Sequence, residues 1–405
     1  MEKMSVCTEI GPLDAEQIRC LANNEPAFFY DRARLNTRIA DLRTALPKDT
    51  NLAYSLKANP QAALVQHVVS QLDGADVTSY AEMIVALNAG VAPALIMFAG
   101  PAKKDMELRA AVAMGVGVCV ESRRELDRLA AIAKDLSRTA RVLLRINPDF
   151  ALSGASMRMG GAPTQFGIDA RDVPGLWPVF ADPALRFCGI HIYWGSQCLS
   201  ETAIEEAQRV AVDLIERLAP DFPSAPEIFN LGGGFGIPYF ERDRALDLDL
   251  IGTGFAPLLA RLQARFPTTT VFLELGRYLV GEAGTYVCNV VDRKTSYGVD
   301  YIVTDGGMHH FLASTGNLGQ KIRRNYPVSL IPVGRAAPSI ADEATLMPYE
   351  IVGSLCTPID LLAHKIHGPD IQVGDMIGVH CAGAYGKSAS PADFLSHPHA
   401  REFLV

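Results

Sequence analysis

Lys57 closes an apolar run, Leu52-Ala53-Tyr54-Ser55-Leu56-Lys57, and Ala58-Asn59-Pro60 follows it directly. This reads as a strand that delivers an amine to a loop mouth, where partial desolvation lowers the amine pKa enough for attack on a carbonyl and Schiff-base formation. A lone lysine at a strand end is ordinarily a solvated charge. Here Asp76 with Ser79, Arg145 with Asn147, His191, the run Gly232-Gly233-Gly234 and Glu274 also stand at the ends of expected strands. Successive glycines let backbone N–H groups close on an anion without interference from Cβ. Gly232-Gly233-Gly234-Phe235-Gly236 lacks the G-x-G-x-x-G spacing and the acidic ribose partner of a dinucleotide site, so a single phosphate, or simply a tight turn, suits it better. Arg277, in Glu274-Leu275-Gly276-Arg277, brings a guanidinium to the same anion, and Ser196 beside Gly195 a hydroxyl. Glu274 beside a pyridine ring holds the ring nitrogen protonated; His191 is either a satisfied barrel histidine or a ring-stacking partner. A lysine, a phosphate cradle, an acid for a ring nitrogen and a stacking imidazole together describe a pyridoxal 5'-phosphate site.

Strands are expected near 51–57, 74–78, 95–99, 116–120, 141–146, 187–193, 226–231 and 270–275, with amphipathic segments such as 81–87 and 121–129 between them. The early strands start 21 to 25 residues apart, which implies parallel strands joined by crossover helices. Eight such units close as a (β/α)8 barrel, whose strand C-termini form one chemical face, and the residues above all fall on that face. A doubly wound open sheet is the alternative, but it gathers its site at one switch point. After about residue 280, segments such as 284–291, 301–304 and 375–379 read as strands joined by Gly, Pro and Asp turns, a C-terminal all-β domain. The run Ala27-Phe28-Phe29-Tyr30-Asp31 is a candidate to pair with it, which gives a barrel over 34–280 and a β domain over 1–33 plus 281–405.

The chain has 405 residues, 49% of them apolar and 20% charged, with a net charge of −8. That describes an ordinary globule with room for two cores. The negative balance, with no dense Lys/Arg block, argues against a nucleic-acid partner. No run resembles a signal peptide or a membrane span, so no membrane partner and a cytoplasmic location are expected. Eight cysteines without C-x-x-C or metal-ligand spacing read as free thiols with no bound metal.

Six ordered motifs then carry a resemblance: Tyr54-Ser55-Leu56-Lys57-Ala58-Asn59, His191 with Gly195-Ser196-Gln197, Asn230-Leu231-Gly232-Gly233-Gly234-Phe235-Gly236, Glu274-x-Gly276-Arg277, Gly353-x-x-Cys356-x-x-x-Asp360 and Gly383-Ala384-Tyr385-Gly386. From about residue 25 to the C-terminus the chain resembles the fold-type III pyridoxal phosphate decarboxylases, the group of ornithine, arginine and diaminopimelate decarboxylases. The resemblance implies an alanine-racemase-like barrel, a β domain that contributes to the dimer interface and active site, and a head-to-tail homodimer with shared active sites. By the same resemblance Lys57 is the Schiff-base lysine, His191 stacks on the ring and Glu274 pairs with the pyridine nitrogen. Ser196, Gly234, Arg277 and Tyr385 hold the phosphate, and Cys356 and Asp360 reach in from the partner subunit. Gly233, Asp76 and Arg145 complete the residues expected around the cofactor. Cys356 is the candidate acid that returns a proton to Cα once CO2 has left; the alternative for it is a buried core thiol.

Departures from the family pattern bear on substrate. Decarboxylases of free diamino acids carry an acidic residue directly after the interface cysteine, where this chain has Thr357. A distal ammonium loses a charged hydrogen bond worth about 1.5–3 kcal/mol there, roughly ten-fold or more in affinity. The stretches Asp305-Gly306-Gly307-Met308-His309-His310, Arg323-Arg324-Asn325-Tyr326-Pro327 and Ser390-Pro391-x-x-Phe394-Leu395-Ser396-His397-Pro398, with the step Cys356-Thr357-Pro358, look like the subgroup that decarboxylates amino acids carried on a larger molecule. That subgroup includes enzymes of carboxylate siderophore assembly, of aminoglycoside side-chain assembly on a carrier protein, and exosortase-associated relatives. His309, Thr357, Asp360, Arg323 and Arg324 are the expected substrate-facing residues, although an exposed Arg pair is as often a solvated face. The expected activity is a carboxy-lyase acting on a small-molecule or carrier-conjugated α-amino acid, for instance citryl-diaminopropionate or a carrier-bound glutamyl group. Diaminopimelate decarboxylation, racemisation on the same barrel and a non-catalytic regulatory homologue are the alternatives. Intact Lys57, Cys356 and Tyr385 weigh against the last.

Overall fold

Two compact units divide the chain, residues 38–237 with 244–278, and residues 1–37, 238–243 and 279–405. The computed structural model describes residues 2–149, 155–158 (backbone), 163–318, 320 and 322–405. In the first unit the apolar runs form β1 (Asn51–Ser55), β2 (Gly74–Val77), β3 (Ile96–Phe98), β4 (Gly117–Val120), β5 (Ala140–Asn147), β6 (Leu185–Ile192), β7 (Ile228–Gly233) and β8 (Thr270–Leu275). Each pairs in parallel with the next, and β8 pairs with β1, so the sheet closes as a (β/α)8 barrel. A helix follows most strands; after β5 a 3-10 segment, Val173–Ala181, stands in that place.

Serine caps set where several of these helices begin. Ser79 accepts the Glu82 N–H at 3.2 Å to start Tyr80–Asn88, Ser122 accepts the Glu125 N–H at 3.1 Å to start Arg123–Asp135, and Ser200 caps Glu201–Leu218. Arg123–Asp135 buries Leu126, Leu129, Ala130, Ile132 and Ala133 at helical spacing, the apolar stripe that seats it.

The second unit is built on one nine-stranded sheet. Gly284–Ser296 is its long central strand, paired antiparallel with Met376–His380, with Val299–Thr304 and with Ala27–Tyr30. Val299–Thr304 continues to Met347–Val352 and then Leu361–Gly368. Phe28, Phe29, Tyr30 and Tyr286 are fully buried, so the aromatic run near the N-terminus serves as core of this sheet. Among the described residues no helix is long and apolar enough to cross a membrane.

Candidate active site

Every second side chain of a barrel strand points inward. One inward layer is apolar, with Ala53, Met97, Cys119, Leu143, Cys188, Ile228 and Phe272 packed together. Two residues further toward the strand C-termini, β1, β5, β7 and β8 carry Ser55, Arg145, Asn230 and Glu274. His191 joins them through a bulge: the β5–β6 register shifts between Phe187 and Gly189, after which His191 pairs with Arg145 on one side and Asn230 on the other. Gly189 is required there, because its φ is +145° and a Cβ would overlap the Ile228 carbonyl oxygen.

The strand expected to run through Lys57 is shorter. It ends at Ser55, and Leu56–Ala58 turn as a 3-10 segment. A continued strand would carry Lys57 a further two residues beyond Ser55; the turn instead lets both side chains reach the same carboxylates. Lys57 Nζ lies 2.9 Å from Glu274 Oε1 and 3.0 Å from Asp76 Oδ2, and Ser55 Oγ lies 3.1 and 3.0 Å from the same two atoms. The other Glu274 oxygen accepts from Asn230 Nδ2 at 3.3 Å and faces His191 Nε2 at 3.1 Å. The Tyr193 ring sits 5.1 Å from Lys57 Nζ.

These buried charges divide in their titration. Burial alone would lift the Glu274 carboxyl, but the Lys57 ammonium outweighs it and holds Glu274 well below the usual carboxylate range. Asp76 goes the other way: burial, and then the charge of Glu274, push it up to about 8. Burial lowers His191, which leaves the ring neutral at pH 7. Its Nε2 is near Glu274 but off the hydrogen-bond direction, so neither ring nitrogen has a hydrogen-bond partner among the described residues. The amine thus lies between an ionised carboxylate and a carboxyl that holds its proton at neutral pH.

Gly233 and Gly234 sit where side chains have no room. A Cβ on Gly233 would overlap the Glu274 carbonyl, and Gly234, at φ +73°, presses on the Gly195 carbonyl. The Cys198 N–H donates to the Gly234 carbonyl at 3.0 Å, tying this turn to the strand Gly195–Cys198 that carries buried Ser196. Arg277 opens the short helix Arg277–Val280 just past Glu274. Arg145 pairs with buried Glu121 at 2.7 Å, and Glu121 also accepts the N–H groups of Gly100 and Gly167. Beside it, buried Lys103 donates to Glu125 at 2.8 Å and to the carbonyls of Gly100 and Cys119.

In the sheet unit, Cys356 is exposed and Thr357 half-buried at the tip of the 353–360 loop, which removes the buried-thiol alternative for Cys356. Asp360 is 2% exposed and accepts the N–H groups of Met308 at 2.6 Å and Leu355 at 2.8 Å. His309 is buried, its ring 3.8 Å from that of His310 and 5.0 Å from that of His397, with no hydrogen-bond partner among the described residues. Arg323 donates to the Leu361 carbonyl; Arg324 lies 3.6 Å from the Phe240 ring centroid and 3.5 Å from Asp243. Tyr385 is half-buried at φ +52° in the Gly383–Gly386 turn.

The family described as pyridoxal-dependent decarboxylase, pyridoxal binding domain, matches residues 32–281. The chain belongs to the pyridoxal-dependent decarboxylases. It is 36% identical to the L-glutamyl-[BtrI acyl-carrier protein] decarboxylase of Niallia circulans, over 97% of this chain and 92% of that protein. It is 31% identical to the 2-[(L-alanin-3-ylcarbamoyl)methyl]-2-hydroxybutanedioate decarboxylase of Staphylococcus aureus, over 96% of each. Its fold matches the crystal structure of Helicobacter pylori diaminopimelate decarboxylase complexed with L-lysine at a TM-score of 0.83, with 26% identity over 96% of this chain and 94% of that one.

The cofactor of this decarboxylase family is pyridoxal phosphate, and the barrel fits it. A half-buried amine stands beside a buried ionised carboxylate, and a neutral buried imidazole leaves both its nitrogens out of hydrogen bonds. Sequence reasoning brought out Lys57, Asp76, His191 and Glu274, which the barrel gathers. It passed over the roles of Ser55 and Asn230, although both lie inside the quoted motifs and at inward positions of period two. Lys103, Glu121 and Glu125 were not singled out, Glu121 and Glu125 lying within the 121–129 amphipathic segment.

Proposed function

We propose that this decarboxylase removes the α-carboxylate of an amino acid whose distal end is conjugated, such as a carrier-bound glutamyl group or a citryl-diaminopropionate. Thr357 carries the reading: the position after Cys356 offers a neutral hydroxyl in place of a carboxylate, so a free distal ammonium finds no countercharge. The two relatives whose names give conjugated substrates support it.

Bound pyridoxal phosphate supplies an aldehyde that takes a primary amine and a ring that accepts electrons from the bond broken at Cα. Lys57 holds the cofactor, and Asp76, 3.0 Å away, hydrogen-bonds its amine and fixes where it stands. Glu274 stays ionised to pair with a protonated ring nitrogen, and Ser55 and Asn230 fix its carboxylate. His191 presents a neutral ring face. Gly233, Gly234, Ser196 and Arg277 receive the phosphate, and Arg145, neutralised by Glu121, lines the same layer. Cys356 returns a proton to Cα, with its loop supplied by the second subunit of a homodimer. Asp360, Arg323, Arg324 and His309 shape the surroundings of the substrate tail.

The deciding experiment is a CO2-release screen over citryl, carrier-bound glutamyl and free diamino acid substrates. Turnover of a conjugated substrate with at least about ten-fold preference over meso-diaminopimelate is expected. Ordinary efficiency on meso-diaminopimelate would overturn the reading.

A further inference from the structure

Asp360 is a buried carboxylate with no cation in hydrogen-bond contact among the described residues. Its two oxygens go instead to two backbone N–H groups on different segments, Oδ1 to Met308 at 2.6 Å and Oδ2 to Leu355 at 2.8 Å. Burial raises its pKa, and those two bonds only partly offset the rise. Two glycines make room for it. A Cβ on Gly307 or on Gly353 would overlap the Asp360 carboxylate, and neither glycine has a positive φ, so space rather than backbone conformation excludes a side chain there. The loop is also closed on itself, since the Gly353 N–H donates to the Asp360 carbonyl at 3.0 Å and the Asp360 N–H to the Thr357 carbonyl at 3.2 Å. Thr304 Oγ1 reaches the Gly306 and Val352 carbonyls at 2.9 and 3.0 Å, which joins the same two segments from the other side. Cys356 stands exposed on the loop that results.

We propose that Asp360 is a positioning residue: its carboxylate clamps the 305–308 turn to the 353–356 loop and thereby fixes where the Cys356 thiol and Thr357 stand, rather than binding substrate itself. The inference rests on the reading of Cys356 as the proton donor only for its catalytic consequence; the clamp itself stands on the contacts above. It also accounts for the Gly353-x-x-Cys356-x-x-x-Asp360 spacing in physical terms, since the glycine and the aspartate are the two ends of one contact. An isolated buried carboxylate is costly, and two charge-assisted N–H bonds in a low-dielectric setting make it rigid.

The test uses the holoenzyme and the variants Asp360→Asn, Gly353→Ala and Cys356→Ala. The alkylation rate of Cys356 by iodoacetamide, read by peptide mass spectrometry with exposed Cys20 as internal reference, reports the loop directly. Asp360→Asn and Gly353→Ala should change the Cys356 rate several-fold and lower kcat while the Cys20 rate and the cofactor absorbance stay near wild type. Cys356→Ala should lower kcat by about a hundred-fold, as expected for loss of a general acid, with misprotonated product appearing. Adding Asp360→Asn to Cys356→Ala should then cost nothing further. Unchanged Cys356 alkylation in both Asp360→Asn and Gly353→Ala overturns the clamp. So does a multiplicative loss in the double variant, or a rise in KM without a fall in kcat, either of which makes Asp360 a substrate contact. If Cys356→Ala turns over normally, the proton-donor reading fails while the alkylation arm still judges the clamp.

Discussion

The barrel site and the 353–360 loop hold their buried carboxylates by different means. In the barrel, charge meets charge: Lys57 with Glu274, Arg145 with Glu121, Lys103 with Glu125, all within 3.0 Å. At the 353–360 loop, Asp360 is held by backbone N–H groups; elsewhere in the sheet unit His309, His310 and His380 are kept neutral by burial, while buried Asp375 pairs with Arg335 as in the barrel. Paired charges preassemble a site that must carry charge through a reaction, whereas backbone clamps and neutral rings shape a loop without adding charge to it.

The sharpest break in this contrast comes from Lys57→Ala, which should abolish turnover measured as CO2 release; residual decarboxylation would remove the barrel site from the chemistry. Glu274→Gln keeps the shape and removes the charge, and a loss in kcat of about a hundred-fold or more is expected if its ionised state matters. A variant near wild-type rate would show that hydrogen bonding alone suffices. Lys103→Met strands Glu125 as a buried unpaired carboxylate and should destabilise the protein by about 3–5 kcal/mol in urea unfolding, with Lys103→Met/Glu125→Leu recovering most of it. Failure of the second change to restore stability would mean that packing, not pairing, sets the cost.

The smallest effect is on pH dependence. His309, His310 and His380 are lowered to about 4, by burial first and then by neighbouring positive charge. Unfolded, they take up protons near 6.5; folded, not until about 4, so their contribution is complete above the higher value and is lost as pH falls through the lower one. Asp76, raised to about 8, has the opposite sign, with stability present below about 4 and lost as pH rises through about 8. His309→Gln should therefore flatten the acid limb of a urea-midpoint profile and Asp76→Asn the alkaline limb. A profile unaffected by either would show that neither group changes its pKa on folding.

Much of the fold was legible because its signals are local. Apolar runs with helical patterns between them, the first five starting 21 to 25 residues apart, give parallel strands, and eight of them close a barrel whatever the details of packing. Lys57, His191 and Glu274 were legible for the same reason, being polar residues at strand ends where one fold puts its chemistry. What was illegible depended on geometry between segments. The end of β1 at Ser55 and the turn through Lys57 follow from carboxylates supplied by β2 and β8, distant in sequence. The bulge before Gly189, which turns His191 inward, has no local marker beyond a glycine in an apolar run.

The chain's residues by themselves determined the amine just past the first strand, the glycine turn, the barrel and the neutral Thr357 beside the thiol, since each is a matter of residue type, period or adjacency. Only the tertiary structure decided that Glu274 ionises while Asp76 holds its proton, that Arg145 is already paired to Glu121, and that Asp360 is tied to two backbone segments. Charge state and hydrogen-bond partner depend on burial and on neighbours within about 4–6 Å, and those are fixed by folding, not by position along the chain.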